Sequence, residues 1–508
     1  MSQLATRNEY EAIARSLDLP GNAFINGHFV PAESGETFET LNPATGEILQ
    51  RIAACDAPDV DHAVVKAREA FDRGVWSKLH PSERKETLIR LCKLIARNQR
   101  ELAVLESLES GKTIRDCETL DLPETINTLK WHAEAIDKIY DQISPSGDDA
   151  LGLIVREPLG VVACVLPWNF PLMTMAWKIG PALAAGNSVV VKPAEQTNMS
   201  ALRLADLALE AGIPAGVLNV VTGKGGTAGQ AIGLHPDIDM VSFTGSTDVG
   251  RLFLEYSARS NLKRIVLECG GKNPCIVLDD ADRLDVVADH AVSAVFWNMG
   301  ENCSSNSRLI VHRAVKDELM ERILERARDW RTGDPLQPEN TLGAIVDTDQ
   351  HRRILSYIET AKREGATVLM GGSAIEDGDG LYVEPTIFDN VTPDMTIARE
   401  EVFGPVLAVI TVDSVAEAVR VANDTPYGLA ASVFTANVRR AHNVAKAVRA
   451  GTVTVNCYGE GDITTPFGGF KQSGFGGRDN SLHAHDQYTE LKTIWLDLGD
   501  DEEQYPLD

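Results

Sequence analysis

The chain has 508 residues, 44% of them hydrophobic and 24% charged, which is enough for two or three packed domains and too apolar for general disorder. Its formal net charge of −26 repels phosphate backbones and anionic bilayers, so nucleic acid and membrane surfaces are excluded as expected partners and small neutral or cationic molecules are favoured. No run has the length and apolarity of a membrane span, the first residues lack a leader's basic flank and apolar centre, and the eight cysteines contain no C-x-x-C pair; a cytoplasmic chain with reduced thiols and no metal is expected.

In chain order, residues 61 to 140 read as mostly helical, ending at the Pro, Gly and Ser interruption "SPSGDDALGL". From Gly160, short β-branched runs ("VVACVLPW", "SVVVKP", "VLNVV", "MVSFTG", "RIVLECGGK") alternate with amphipathic ones ("PLMTMAWKIGPALAAG", "TNMSALRLADLALEAG", "GTAGQAIGL", "TDVGRLFLEYSA"). That alternation predicts an α/β fold with a buried parallel sheet, and Gly186 and Gly212 fall where helix-ending glycines belong. After Cys303 a second series ("RLIVH", "TVLMGG", "VLAVITV", "ASVFTA", "TVTVN") predicts a second α/β unit, and the tail "DLGDDEEQYPLD" reads as a solvated end.

Ligands of open parallel sheets bind beyond the carboxyl ends of the strands. Asn169 follows the first strand, Lys192 and Glu195 the second, and Gly245 and Ser246 stand before a helix. Ser246 fits two readings, a plain helix cap or part of a helix start that offers N–H groups to a pyrophosphate. Lys192 with Glu195 fits a surface ion pair or a ribose-binding pair. Glu268 ends an apolar strand ahead of two glycines that let the backbone pass close to something, which suits a turn cap or a general base. Cys303 is either an inert core thiol or, given the polar "SSNS" after it, a reachable nucleophile in polar surroundings.

"PWNFPL", "VVKPAEQT", "FTGST", "ECGGKNP", the cysteine loop, "EEVFGPV", "NDTPYGLAA" and "PFGGFKQSG" occur in the order in which the aldehyde dehydrogenase superfamily carries them, from "FINGHFV" onward. The chain resembles the non-acylating, NAD(P)-dependent members. That resemblance implies Cys303 as nucleophile, Asn169 with the Cys303 N–H as oxyanion hole, and Glu268 as the base that activates water. It also implies a cofactor site with Glu195 on the adenosine ribose, Glu401 on the nicotinamide ribose, Phe403 beside it, and Lys192, Leu166, Trp168, Gly225, Gly245, Ser246 and Val249 around it. A carboxylate at Glu195 would face the 2′-phosphate of NADP, so NAD is expected to be preferred. The family fold implies a discontinuous NAD-binding domain (1–141 and 160–268), a catalytic domain (269–480), and a bridging sheet (142–159 and 481–508) that supports homodimers or homotetramers.

For the aldehyde tunnel the resemblance implies aromatic walls at Phe170, Trp177 and Phe467, with Tyr458, and a mouth carrying the carboxylates Glu460, Asp462 and Asp121, which would attract a cationic aldehyde. The "GDIT" step and the "SLHA" and "YTELKT" tail are most similar to the branch that oxidises γ-glutamyl-γ-aminobutyraldehyde and 4-guanidinobutyraldehyde; betaine aldehyde or general aliphatic and aromatic aldehydes are the alternative. A non-catalytic protein of this fold would be expected to lack one of Cys303, Glu268 or Asn169, and a CoA-acylating relative to lack Glu268; all three are present. Two departures stand out: Glu301, where many relatives have glutamine, adds a charge near the nucleophile, and Cys269, where leucine is usual, is either a small core residue or a disulfide partner for Cys303.

Overall fold

The computed structural model describes residues 4–376 and 378–499, so most of the acidic tail lies outside the described residues. Its first sheet runs in the order His28–Val30, Ala23–Ile25, Leu218–Val220, Ser188–Lys192, Val161–Val165, Met240–Gly245, Arg264–Cys269 and Gly474–Phe475. From Leu218–Val220 to Arg264–Cys269 the strands are parallel. Every residue of Val161–Val165 and of Ser188–Lys192 is buried, as a sheet covered on both faces requires. The chain winds outward in one direction and then in the other, reversing between Val161–Val165 and Met240–Gly245. The crevice at that reversal is where ligands of such sheets bind.

The expected helices appear as Pro171–Ala185, Met199–Glu210, Gln230–Leu234 and Thr247–Arg259, and Gly186 (φ 101°) and Gly212 (φ 100°) take the left-handed conformation that ends two of them. A second sheet, in the order Thr367–Met370, Thr386–Asp389, Val406–Val412, Arg308–His312, Pro274–Val277, Ala430–Phe434 and Thr452–Val455, holds the other large core. Two short elements matter beyond the expected runs. Pro274–Val277 is a central strand of this sheet, and Gly474–Phe475 crosses back to pair with Leu267 and Glu268 on the first. Thr489–Asp497 pairs along its whole length with Ala150–Pro158, with Gln142–Ile143 outside, forming a separate three-stranded antiparallel sheet. Among the described residues no helix is long and apolar enough to cross a membrane.

Candidate active site

Beyond the ends of Val161–Val165, Met240–Gly245 and Arg264–Cys269 lies a cavity of about 180 Å³ that also takes in the Cys303 loop. Thr244, Gly245, Ser246, Glu401 and Phe403 bound one end, Asn169, Glu268 and Cys303 the middle, and Phe170, Trp177, Glu460 and Phe467 the other.

Asn169 stands in the link to Pro171–Ala185, whose leading proline has no N–H to leave unsatisfied. Its carbonyl accepts from Lys112 Nζ (3.0 Å) and Asn298 Nδ2 (3.1 Å), and its Nδ2 donates to the Glu301 carbonyl (2.9 Å), which leaves one amide N–H for the cavity. Cys303 follows the turn Trp297–Gly300, in which Asn298 (φ 53°) and Met299 (φ 57°) hold left-handed backbone, a strain that persists only where surrounding contacts fix it. Asn273 Nδ2 anchors the loop by donating to the carbonyls of Cys303 (2.7 Å) and Ser305 (3.0 Å). Cys303 is partly exposed, so it is reachable, but the polar surroundings expected for it are corrected: its neighbours are Phe170, Met173, Trp177, Trp297, Leu429 and Phe467. The polar groups after it turn inward, where the Ser304 N–H donates to Asn302 Oδ1 (3.0 Å) and Asn306 Oδ1 accepts from Ser432 Oγ (2.6 Å). Burial pushes the Cys303 thiol well above its ordinary range, and the facing carboxylates Glu460, Glu401 and Glu268 push the same way.

Glu268 is 3% exposed, and neither carboxylate oxygen has a hydrogen-bond partner among the described residues. Burial, followed by repulsion from Asp479, raises its pKa well above the usual carboxylate range, with Lys178 and Arg478 opposing. A buried carboxyl of this kind, aimed into the cavity that holds the thiol, is suited to take up and release a proton. Gly468 makes room for it, since a Cβ there would stand 2.7 Å from Glu268 Oε1. Behind it Lys178 Nζ contacts Asp479 Oδ2 (3.5 Å) and Ser242 Oγ (3.1 Å), all fully buried. Neither Lys178 nor Asp479 was among the sequence candidates. The signal for Lys178 was a lone lysine in the otherwise apolar run "PLMTMAWKIGPALAAG".

At the other end Glu401 Oε1 accepts from the Gly271 N–H (2.8 Å), and burial lifts its pKa to about 7. A Cβ on Gly270 would lie 2.1 Å from Glu401 Oε2, which explains the first glycine after the base. Phe403 (φ 56°) is tied by Gln350 Nε2 to its carbonyl (2.6 Å), and its ring meets Trp168 edge-on at 5.2 Å. Ser246 caps Thr247–Arg259 by accepting from the Val249 N–H (3.3 Å), and Val249 is exposed beside it. Glu195 Oε1 accepts from Gly225 N–H, the first residue of the turn before Gln230–Leu234. Lys192 is 2% exposed with Nζ on the Pro193 carbonyl (3.0 Å), so it is no surface ion pair. Leu166 packs into the core and reaches this region only through the chain. These residues fit a dinucleotide: Thr244 has a buried hydroxyl without a partner among the described residues, Gly226 faces open space, and a helix N-terminus borders the cavity at Gly245 and Ser246.

The mouth needs two corrections. Asp121 is completely buried and paired with Lys112 at 2.6 Å, beneath Phe170, over whose ring Lys112 Nζ sits at 3.8 Å. The carboxylate that joins Glu460 and Asp462 is Glu124, which lies close enough to raise the pKa of Glu460 and to be raised by Asp462. The physical reason is a π-turn over Cys117–Asp121 directly before the helix Leu122–Ala135; its extra residue per turn rotates the helix face. Tyr458 does not line the cavity. Its hydroxyl accepts from Asn302 Nδ2 (2.8 Å), bracing the nucleophile loop from behind. Asp462 is exposed and caps its own turn through Thr464. Phe467 and Trp177 meet at 5.2 Å with their rings tilted by 59°, forming a wall.

The two departures are also placed. The Glu301 carboxyl is turned away to accept from the Val346 N–H (3.3 Å), and burial raises its pKa well above the usual range. Cys269 packs against Gly250 in the core of the first unit, whereas Cys303 belongs to the aromatic cluster, and both are free thiols.

Residues 29–494 match the model of the aldehyde dehydrogenase family. Aminoacetaldehyde dehydrogenase of Pseudomonas aeruginosa is 59% identical over 98% of this chain and 100% of its own length. Among solved structures, indole-3-acetaldehyde dehydrogenase complexed with NAD+ is 52% identical with a TM-score of 0.96, and gamma-glutamyl-gamma-aminobutyraldehyde dehydrogenase from Burkholderia cenocepacia J2315 is 51% identical with a TM-score of 0.96; each covers 97% of this chain and 100% of that one. The chain belongs to the aldehyde dehydrogenase family and is an NAD-dependent oxidoreductase acting on aldehydes.

Proposed function

We propose that the enzyme oxidises ω-amino or guanidino aldehydes to their acids through a covalent intermediate on Cys303. The observation that carries this reading is a single cavity with, at its centre, a reachable thiol and a buried carboxyl that has no hydrogen-bond partner among the described residues, and with the Glu460 carboxyl at its aromatic end. Cys303 adds to the aldehyde carbon as the thiolate, and the Asn169 side-chain N–H and the Cys303 backbone N–H hold the resulting alkoxide. NAD, when held there, would supply the hydride acceptor, and Cys303 would then carry the acyl group as a thioester. Glu268 takes a proton from the water that releases the acid, and Lys178 and Asp479 stabilise its charged and neutral forms.

Glu195, Lys192, Gly225, Gly245, Ser246, Val249, Trp168, Glu401 and Phe403 hold the cofactor, with the Leu166 backbone beside them. The free oxygen of Glu195 opposes a 2′-phosphate, which favours NAD over NADP. The relatives named for aminoacetaldehyde and for gamma-glutamyl-gamma-aminobutyraldehyde support the aminoaldehyde class. A second reading, uncharged aromatic aldehydes, is favoured by the Phe170, Trp177, Trp297 and Phe467 walls and the relative named for indole-3-acetaldehyde. The NAD-binding unit spans 1–141 and 160–268, the catalytic unit 269–480 with Gly474–Phe475 returning to the first sheet, and the bridging segments 142–159 and 481–508. Exposed Leu491, Trp495 and Ile143 on the three-stranded sheet support assembly into dimers or tetramers, and eight free cysteines suit the cytoplasm.

The test is NADH formation over a panel of aldehydes, with and without CoA and with NADP in place of NAD. Cationic aldehydes of about four carbons should give the highest kcat/KM, reading from a tunnel of this type. CoA should be without effect and NADP weaker. A best rate with benzaldehyde or propanal removes the cationic reading.

A further inference from the structure

Cys303 is flanked in sequence by two residues that are tied to one short segment. Asn302 Nδ2 donates to the Tyr458 hydroxyl (2.8 Å), and Ser304 Oγ lies 3.3 Å from the same hydroxyl and donates to Glu460 Oε1. Tyr458 is itself positioned by its N–H on His290 Nδ1 (3.4 Å). Glu460 lines the cavity that holds Cys303, and another acid, Glu124, lies close enough to raise its pKa, with Asp462 beyond it. The remaining charges that face the nucleophile, Glu401 and Glu268, are also acidic, and the cations Lys178 and Arg478 act on Glu268. Arg353 borders the same cavity at its cofactor end and acts on Glu401, and among the described residues no cation is ion-paired with Glu460.

We propose that a cationic substrate activates its own nucleophile: its ammonium or guanidinium group, seated on Glu460 and Glu124, neutralises the carboxylate hydrogen-bonded to the nucleophile loop, so that the Cys303 thiolate forms in the substrate complex and not in the resting enzyme. This rests on the cationic-aldehyde reading and adds a function to the mouth acids beyond attraction. The raised pKa of the Cys303 thiol, in which Glu460 is the largest charge contribution after burial, agrees with the geometry. The step is a proton transfer only: the thiol gives its proton to water or to Glu268 and becomes the thiolate that adds to the carbonyl. A resting thiol kept neutral is also spared oxidation and alkylation, since the thiolate is the reactive form.

The test is the pH profile of Cys303 alkylation by iodoacetamide, followed by mass spectrometry and read as the midpoint rather than the rate, so that shielding by a bound molecule does not enter. Saturating butylammonium should move the midpoint of the unmodified enzyme about one unit toward acid, a tenfold change in thiolate. Butanol should not move it. In Glu460→Gln the midpoint should already be lowered and butylammonium should no longer shift it, with Glu124→Gln giving a smaller change in the same direction. An unmoved midpoint in Glu460→Gln overturns the proposal, as does butylammonium that inhibits competitively against aldehyde yet leaves the midpoint in place. Butylammonium that does not compete at all sinks the cationic-substrate reading and this proposal together, while the Glu460→Gln midpoint still reports whether the carboxylate and the thiol are linked.

Discussion

Replacing Cys303 with alanine should reduce turnover to background while leaving NAD binding measurable by fluorescence titration, because the thiol stands at the centre of the cavity and packs in the aromatic cluster of Phe170, Trp177 and Phe467. Glu268→Gln should still form the acyl-enzyme but release it slowly, seen as a burst of NADH and a persistent mass adduct on Cys303; a burst-free variant with normal turnover would remove the base assignment. The pH dependence has a definite sign at Glu401. Burial pushes the carboxyl up to about 7, and the carboxylate is the stronger acceptor for two ribose hydroxyls, since the acid form turns one oxygen into a donor. NAD affinity should therefore weaken as pH falls below about 7, and Glu401→Gln should bind more weakly at pH 8 with that inflection gone. Calorimetric titration across pH checks both.

At the scale of elements, the helix Leu122–Ala135 separates two acids that look alike in the sequence. Asp121 is the ion-pair partner of the buried Lys112, which Glu106 also faces, so Asp121→Asn leaves the ammonium with one facing carboxyl fewer and should cost about 3 kcal/mol of stability with little change in substrate preference. Glu124→Gln should do the reverse, leaving the melting temperature within a degree or two and lowering the preference for cationic aldehydes. Denaturant melts and kcat/KM ratios on the same two variants separate the roles. The phase of that helix was not legible because a π-turn carries no residue signature, whereas the strands of the first sheet were, since β-branched runs bounded by glycines leave few alternatives. The hairpin Ala23–Ile25 to His28–Val30 turns on Asn26 and Gly27, both left-handed, a signal present in "FINGHFV" that was not read as a turn. Asn169, Glu268 and Cys303 were legible as chemistry, but the apolar wall around the thiol was not. Ser304 meets Tyr458 and Glu460, and Asn306 meets Ser432, all more than a hundred residues away in the chain, so the spacing within the loop does not reveal which way its polar side chains turn.

For the whole molecule, two sheets meet at one cavity and a third projects with its apolar side chains uncovered. A charge placed there, as in Trp495→Glu with Leu491→Glu, should yield a smaller particle by light scattering without disturbing either large core. The account as a whole depends on charge at the mouth selecting the aldehyde. The most direct measurement is the ratio of kcat/KM for 3-aminopropanal to that for butanal, chains of nearly equal size differing in one ammonium, in the unmodified enzyme and in Glu124→Gln with Glu460→Gln. The ratio should exceed about ten, the factor one close partly buried charge pair supplies, and fall toward one in the double variant. A ratio near or below one in the unmodified enzyme, or a ratio that the double variant leaves unchanged, would contradict it.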